Sequence, residues 1–300
     1  MAAIAPPDLV TAAATAASEA RAHRFTSATS DLERLEMELL LLAIYRHHGF
    51  DFRAYAPASL HRRIRRHMEN ARIATITGLT ELILHEPAAL QRLLHDLSVN
   101  VTAMFRDPTF FAELRSTVVP LLRTYPTVRI WHAGCSTGEE VYAMSILLEE
   151  EGLSDRCRIY ATDMDSTVLD QARQGIFPLS RMKEYTSNYF LAGGKRSLSD
   201  YYTAKYDGAL FAPRLAKNVL FTQHNLATDR GFSEFNLIVC RNVLIYFDRT
   251  LKDHALGLFT ESLGTRGVLC LGRKESLRFT AFEQEFNALS VRERIFRRNR

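Results

Sequence analysis

Two glutamates open a helix directly after a strand and a turn of small residues, in the string His132-Ala133-Gly134-Cys135-Ser136-Thr137-Gly138-Glu139-Glu140. Small residues at such a turn let backbone approach a ligand, and a helix N-terminus presents N–H groups that no helical carbonyl pairs. Phosphate-binding turns read GxxxxGK[ST] or GxGxxG, and this one matches neither. Glutamates at that place repel phosphate and suit a ligand with an ammonium group, such as the methionine portion of S-adenosylmethionine. The plain alternative is that both acids complement the helix dipole. The next strand, RIYATDMD, ends at Thr162-Asp163. An acid there, about 25 residues past the turn, commonly accepts hydrogen bonds from ribose hydroxyls. Capping the following helix is its alternative role, which Asp165 or Ser166 could fill equally well. The two strand ends together describe an adenosine and ribose site with no pyrophosphate site, which favours S-adenosylmethionine over NAD.

The elements that must hold these residues can be read from periodicity. From about Asp31 to Leu97 the pattern is helical, with Leu35, Leu39, Leu40 and Ile44 at helical spacing and Gly49 closing the segment. Further helices are expected near Leu60 to Asn70, Leu79 to Leu84 and Ala88 to Leu97, punctuated by Pro57 and Pro87. From Val128 strands and helices alternate. VRIWHAG, RIYATDMD, SEFNLIVCRN, RGVLCLG and ERIFRR read as strands, GEEVYAMSILLEEEG as an amphipathic helix with acidic residues at its start, and LKDHALGLFTESL as a helix. Strands separated by helices of that length predict an α/β domain with a mostly parallel, doubly wound sheet. Residues 178–218 break the rhythm, being Tyr-rich, basic and Gly-punctuated, and read as a small antiparallel insertion. The expected organisation is an Ala-rich, disordered or loosely helical extension over 1–28, a helical domain over 29–98, and the α/β domain over 99–300.

An apolar fraction of 47% and a charged fraction of 24% suit a globular protein. No apolar run reaches the roughly 18–20 residues of a membrane span, and the N-terminus lacks the basic region and apolar core of a signal peptide. Neither membrane insertion nor a leader is expected. Cys135, Cys157, Cys240 and Cys270 form no CxxC pair, which argues against a disulfide framework and a zinc site and fits a reducing cytoplasm. A net charge of +4 is too small to imply nucleic acid. Within HRRIRRHMENAR, however, Arg62, Arg63, Arg65, Arg66 and Arg72 share one helical segment, either a solvated face or a docking surface.

Read together in order and spacing, NVTAMFRD, GCSTGEE and CRNVLIYFD resemble the CheR-type chemotaxis receptor methyltransferases, over roughly residues 30 to 300. The resemblance implies an all-helical N-terminal domain followed by a Rossmann-like class I methyltransferase domain that carries a small antiparallel β insertion. It implies that Asn100, Thr102 and Arg106 line the cofactor cleft, that Glu139 or Glu140 lies near the methionine amino group, and that Asp163 holds the ribose. Asn225 and Leu226 fall where the family brackets adenine, Arg241 and Asn242 face the cofactor, and Tyr246 with Arg106 positions the incoming carboxylate. The implied reaction is methyl ester formation on receptor glutamates, leaving S-adenosylhomocysteine. The basic helix with Arg62, Arg63, Arg65 and Arg66 would dock an acidic receptor coiled coil. In some family members the insertion also pairs with a receptor tail peptide. Two positions depart from the family pattern. Gly272-Arg273-Lys274-Glu275 stands where the family often reads Gly-His-Ser-Glu, and Val141 replaces the usual Pro after the glutamates. The competing expectations are a methyltransferase of this architecture with another acceptor, and a relative that binds without turnover.

Overall fold

The computed structural model describes residues 31–98 and 102–299. By internal contacts the described residues divide into one unit of residues 31–53 and 65–89 and another that comprises the remaining described residues, 54–64 and those from 90 onward. In the first, helix α1 (31–43) passes into a π turn over Ile44–His48 and stops at Gly49, whose φ of 80° is the left-handed conformation glycine accepts without strain. Helix α2 spans Pro57–Ala71, α3 Ile76–His85 and α4 Pro87–Leu97, and both units share α2 and α4. Thr75 caps α3 by accepting from the Gly78 amide. Met37, Leu40 and Ile44 are buried in the first unit, as are Ile76, Leu79 and Ile83. Leu35 and Leu39, which the spacing grouped with Leu40 and Ile44, are about half exposed. Successive helical residues turn by about 100°, which puts Leu39 at the margin of the stripe that Met37, Leu40 and Ile44 bury.

The second unit continues with two short helices, α5 (Pro108–Glu113) and α6 (Val119–Leu122), joined by a π turn. Strand β1 (Val128–Ala133), helix α7 (Glu139–Glu150), strand β2 (Cys157–Asp163) and helix α8 (Ser166–Gln174) then form the first half of the sheet. The insertion follows as β3 (Ile176–Pro178), α9 (Met182–Leu191), β4 (Tyr202–Lys205) and β5 (Gly208–Phe211). The chain closes with β6 (Val219–Gln223), β7 (Phe235–Cys240), α10 (Arg249–Ser262), β8 (Leu263–Leu271), β9 (Phe286–Ser290) and β10 (Ile295–Arg298).

The large sheet has the order β6-β2-β1-β7-β8-β10-β9. Every pair from β6 through β8 is parallel, and β10 is antiparallel to both β8 and β9. The doubly wound α/β sheet expected from the sequence is therefore present, with its switch point at β1, where successive strands are added first on one side and then on the other. The small sheet, β3-β5-β4, is antiparallel throughout, as the insertion was expected to be. Strands β6 and β9 were not among those expected.

Helix α7 differs from its expected amphipathic form, because Val141 through Leu148 are all buried. One side lies on the sheet, while the Tyr142 ring meets Phe177 and Phe211 of the insertion edge-on. Glu150 closes the helix by accepting from Arg115, from the hydroxyls of Tyr189 and Tyr201, and from the Lys195 amide. One carboxylate thus ties the insertion to α7. Among the described residues no helix is long and apolar enough to cross a membrane, and no cluster of His, Cys, Asp or Glu could hold a metal.

Candidate active site

Ligands in open α/β sheets bind beyond the carboxyl ends of the strands, and here β1, β2 and β7 end on one open cleft. It encloses about 950 Å³, solvent at its mouth included, within the unit of residues 54–64 and 90–300. Its floor is the turn after β1. The amides of Gly134 and Cys135 both donate to the Thr162 carbonyl, at 2.8 and 2.9 Å, which pins the turn to β2. Gly134 sits at φ 79°, and a Cβ there would lie 2.4 Å from a Val243 methyl, so only glycine fits. Cys135 lines the cleft, but burial and then Asp163 push its thiol up, away from a nucleophilic thiolate.

Asp163, half-buried at the end of β2, accepts from the Ser136 amide at 2.8 Å and the Asp165 amide at 3.1 Å. Burial pushes its carboxyl up to about 6, the amide hydrogen bonds only partly offsetting that. Capping of α8 falls to Asp165, which accepts from the Thr167 amide at 2.8 Å. The Asp163 carboxylate therefore reaches the cleft without serving as that cap.

The two glutamates diverge. Glu139 is buried, accepts from the Thr137 hydroxyl at 2.6 Å and the Tyr185 hydroxyl at 3.4 Å, and does not line the cleft. Burial raises its carboxyl above the ordinary range. Glu140 does line the cleft. Its Oε2 accepts from Arg241 Nη1 at 2.8 Å and its Oε1 lies 3.1 Å from His132 Nδ1. Burial disfavours the anion, but Arg241 and then His132 outweigh it and hold the carboxyl at about 2.

Arg241 is the centre of this arrangement. Its side chain is 1% exposed and donates also to Asp107 Oδ2 at 2.6 Å and to the Arg106 carbonyl at 3.3 Å. Its guanidinium lies 4.0 Å from the Phe110 ring centroid. One side chain thereby joins the start of α7 to the Arg106-Asp107 segment. Arg273, at the place where the family often has His, reaches Asp107 from the other side at 3.7 Å and pairs with Glu293 at 2.8 Å.

Thr102, Arg106, Asn225, Leu226, Asn242 and Tyr246 line the same cleft. Asn100 lies outside the described residues. Tyr55 and Met164, which the sequence did not single out, also line the cleft, with the Tyr55 hydroxyl 3.6 Å from the thioether sulfur. Residues 54–56 run beside 246–248: Ala56 donates to the Tyr246 carbonyl at 2.9 Å and Asp248 to the Ala54 carbonyl at 2.9 Å. Arg63, expected on a basic surface, instead lies 4.4 Å over the Tyr246 ring and donates to Ser59 and to the Leu97 carbonyl. No local sequence signal distinguishes it from its neighbours Arg62 and Arg66, which are exposed.

Two family descriptions match the chain: CheR methyltransferase, all-alpha domain, over residues 35–98, and CheR methyltransferase, SAM binding domain, over residues 100–295. Among curated proteins it is 51% identical over 265 residues to "Putative methyltransferase Cher3" of Pseudomonas putida, covering 88% of this chain and 97% of that one. It is 30% identical to "Chemotaxis protein methyltransferase 2" of Pseudomonas aeruginosa, over 78% of this chain and 83% of that one. With the "Chemotaxis protein methyltransferase" of Listeria monocytogenes it shares 29% identity, over 76% and 85% of the two chains.

Proposed function

The chain belongs to the CheR methyltransferase family and is an S-adenosylmethionine-dependent methyltransferase; on that premise we propose that it converts glutamate carboxylates of a chemotaxis receptor to methyl esters. The observation that carries this reading is the convergence of Arg106, Glu140, Asp163, Arg241, Asn242 and Tyr246 on one cleft. The donor set fits the cofactor: a glycine turn that admits close approach, a carboxylate at the end of β2 for ribose hydroxyls, and a permanently ionised Glu140 for an ammonium group.

When bound, S-adenosylmethionine supplies a methyl group on a sulfonium sulfur, which departs as the neutral thioether. Asp163 would accept from the ribose, Glu140 would hold the amino group, and Asn225 and Leu226 would flank the adenine. Thr102 and Asn242 line the remaining wall, with Asn100 assigned there by the family pattern. An acceptor glutamate with an ordinary pKa near ~4.3 is ionised at neutral pH, so the enzyme needs no general base. Its work is to hold oxygen, carbon and sulfur in line, and placement of that kind is worth roughly 7–11 kcal/mol in well-oriented systems. Arg106 donates to one acceptor oxygen and Tyr246 fixes the same group.

Incubation with tritiated S-adenosylmethionine and receptor fragments should give label that base releases as methanol. Label that resists base, or no transfer to fragments carrying the methylation region, would sink the glutamate acceptor. Since Asp163 must be ionised to accept from two hydroxyls, affinity for S-adenosylhomocysteine should fall as pH drops through about 6. One proton at that pKa predicts about tenfold weaker binding at pH 5 than at pH 7. Calorimetry across that range checks it, and an Asp163→Asn variant should bind weakly with a flat profile. A flat profile in the unaltered protein would remove Asp163 from the ribose.

Docking on an acidic receptor coiled coil narrows to the exposed pair Arg62 and Arg66, one helical turn apart on α2. Arg63 is packed on Tyr246, and Arg65 is engaged by Glu33 at 2.9 Å. Reversing both to Glu (R62E and R66E) should raise the KM for receptor roughly tenfold at low salt and less at high salt, with cofactor affinity unchanged. An unaltered KM at low salt would exclude this face. The proposed location is the cytoplasm, where receptor methylation regions and the cofactor coexist.

A further inference from the structure

We propose that Glu275 is a positioning residue for the cofactor cleft, holding the left-handed backbone of Asn242 and so the Asn242 amide at the cleft wall. The inference rests on the reading of Asn242 as part of the cofactor site, and on nothing about the acceptor. Strands β7 and β8 are parallel neighbours whose last paired residues are Cys240 and Leu271. Beyond that pair each chain turns away, and the amides of Asn242 and Gly272 point into the gap, where two donors cannot satisfy one another. Glu275 supplies the missing acceptor. Its Oε2 accepts from Gly272 at 2.5 Å and from Asn242 at 3.1 Å, after a tight turn closed by Glu275 N donating to Gly272 O at 2.8 Å.

The fit leaves no slack. A Cβ on Gly272 would lie 2.7 Å from that oxygen, 2.8 Å from the Asn242 amide and 3.1 Å from its side-chain nitrogen. Asn242 sits at φ 63°, a conformation that asparagine tolerates better than most residues but that still needs support. Glu275 itself is 5% exposed and does not line the cleft, so it acts through Asn242 and not on the ligand. Burial raises the Glu275 carboxyl above the ordinary range, and the surrounding amides, those of Gly272 and Asn242 foremost, act against that, so the anion depends on them.

The test is a double-mutant cycle read by S-adenosylhomocysteine binding in calorimetry. Asn242→Gly removes the side chain and accepts φ 63° without strain. Glu275→Gln keeps the size and removes the charge. Each alone should weaken binding about tenfold, the loss expected for one charge-assisted hydrogen bond. The double variant should be no weaker than Asn242→Gly by more than about twofold, because both act through one group. Glu275→Asp, which keeps the charge one methylene shorter, should restore part of the affinity. Multiplication of the two losses in the double variant overturns the proposal, as does unaltered affinity in Glu275→Gln. A Glu275→Gln variant with a lowered Tm and no coupling to Asn242 assigns the residue to loop stability alone and also overturns it. Should Glu275→Gln fail to fold, the same cycle is run with Glu275→Asp. No acceptor enters the measurement, so its outcome stands apart from that of the receptor assay.

Discussion

Arg241→Met should destabilise the protein by about 3–5 kcal/mol at pH 7, the usual cost of removing one partner of a buried ion pair. The methionine occupies similar volume, so the loss is electrostatic. Glu140 and Asp107 each lose a donor within 3 Å, and Glu140 then faces burial with only His132 beside it. The pH dependence makes the assignment specific. In the folded protein Glu140 titrates at about 2, against an ordinary value near ~4.3 in the unfolded chain. A depressed acid contributes stability that is present above its unfolded pKa and lost as pH falls through its folded one. With Arg241 gone, burial is opposed by His132 alone, and the folded pKa rises from its depressed value. The variant's deficit should therefore be full at pH 7 and smaller near pH 5. Urea unfolding at both pH values measures it, and Glu140→Gln in the same background should recover part of the loss. A midpoint at pH 7 equal to that of the unaltered protein would show that Arg241 does not hold this site. Since Glu140 is the residue proposed to hold the ammonium group, losing its Arg241 partner should also weaken binding of S-adenosylhomocysteine, by about tenfold.

The parts of this site legible in the sequence are those fixed by a strand end and the turn that follows. Gly134 and Asp163 could be picked because the spacing between the two strands sets their place at the switch point, whatever surrounds them. What could not be read depended on contacts distant in sequence. Glu139 and Glu140 are adjacent and chemically identical, and about 100° of helix rotation separates them. Only the presence of Tyr185 on one side and Arg241 on the other decides which carboxylate meets the cleft. Arg63 is one of several arginines in a row, and its position over Tyr246 follows from residues 54–56 pairing with residues 246–248. The same limit applies to the fold. Helix α7 reads as one-sided because periodicity reports a single apolar stripe, but it is covered by the sheet and by an insertion that follows it in the chain. Strand β6, just past the expected insertion, went unread because five residues with a weak alternation carry little signal until β2 is there to pair with them.

The loss of turnover on removing Arg106 should be of the same order as the loss of stability on removing Arg241, and it should leave the fold intact. The Arg106 carbonyl, not its side chain, accepts from Arg241, so truncation to Ala keeps the backbone tether. The truncation removes the guanidinium proposed as donor to the incoming carboxylate. Charge-assisted pairing is the stronger class of hydrogen bond, and its loss also frees the acceptor to rotate out of line. For Arg106→Ala, kcat/KM toward receptor should fall about 100- to 1000-fold, with Arg106→Lys between it and the unaltered enzyme because lysine offers no planar fork. Tyr246→Phe isolates a smaller effect. Its ring keeps the Arg63 contact and its carbonyl keeps the Ala56 amide, so only the hydroxyl is lost. A drop in kcat of about tenfold or more, with S-adenosylhomocysteine affinity within about twofold, would assign that hydroxyl to the acceptor and not to the cofactor. Full turnover in both variants, with unchanged cofactor binding, would mean that acceptor placement resides elsewhere. The wall carrying Tyr55 and Arg63, which the sequence did not reveal, would then be the place to look, because it faces the same cleft as Tyr246 and carries the hydroxyl and the cation that acceptor placement requires.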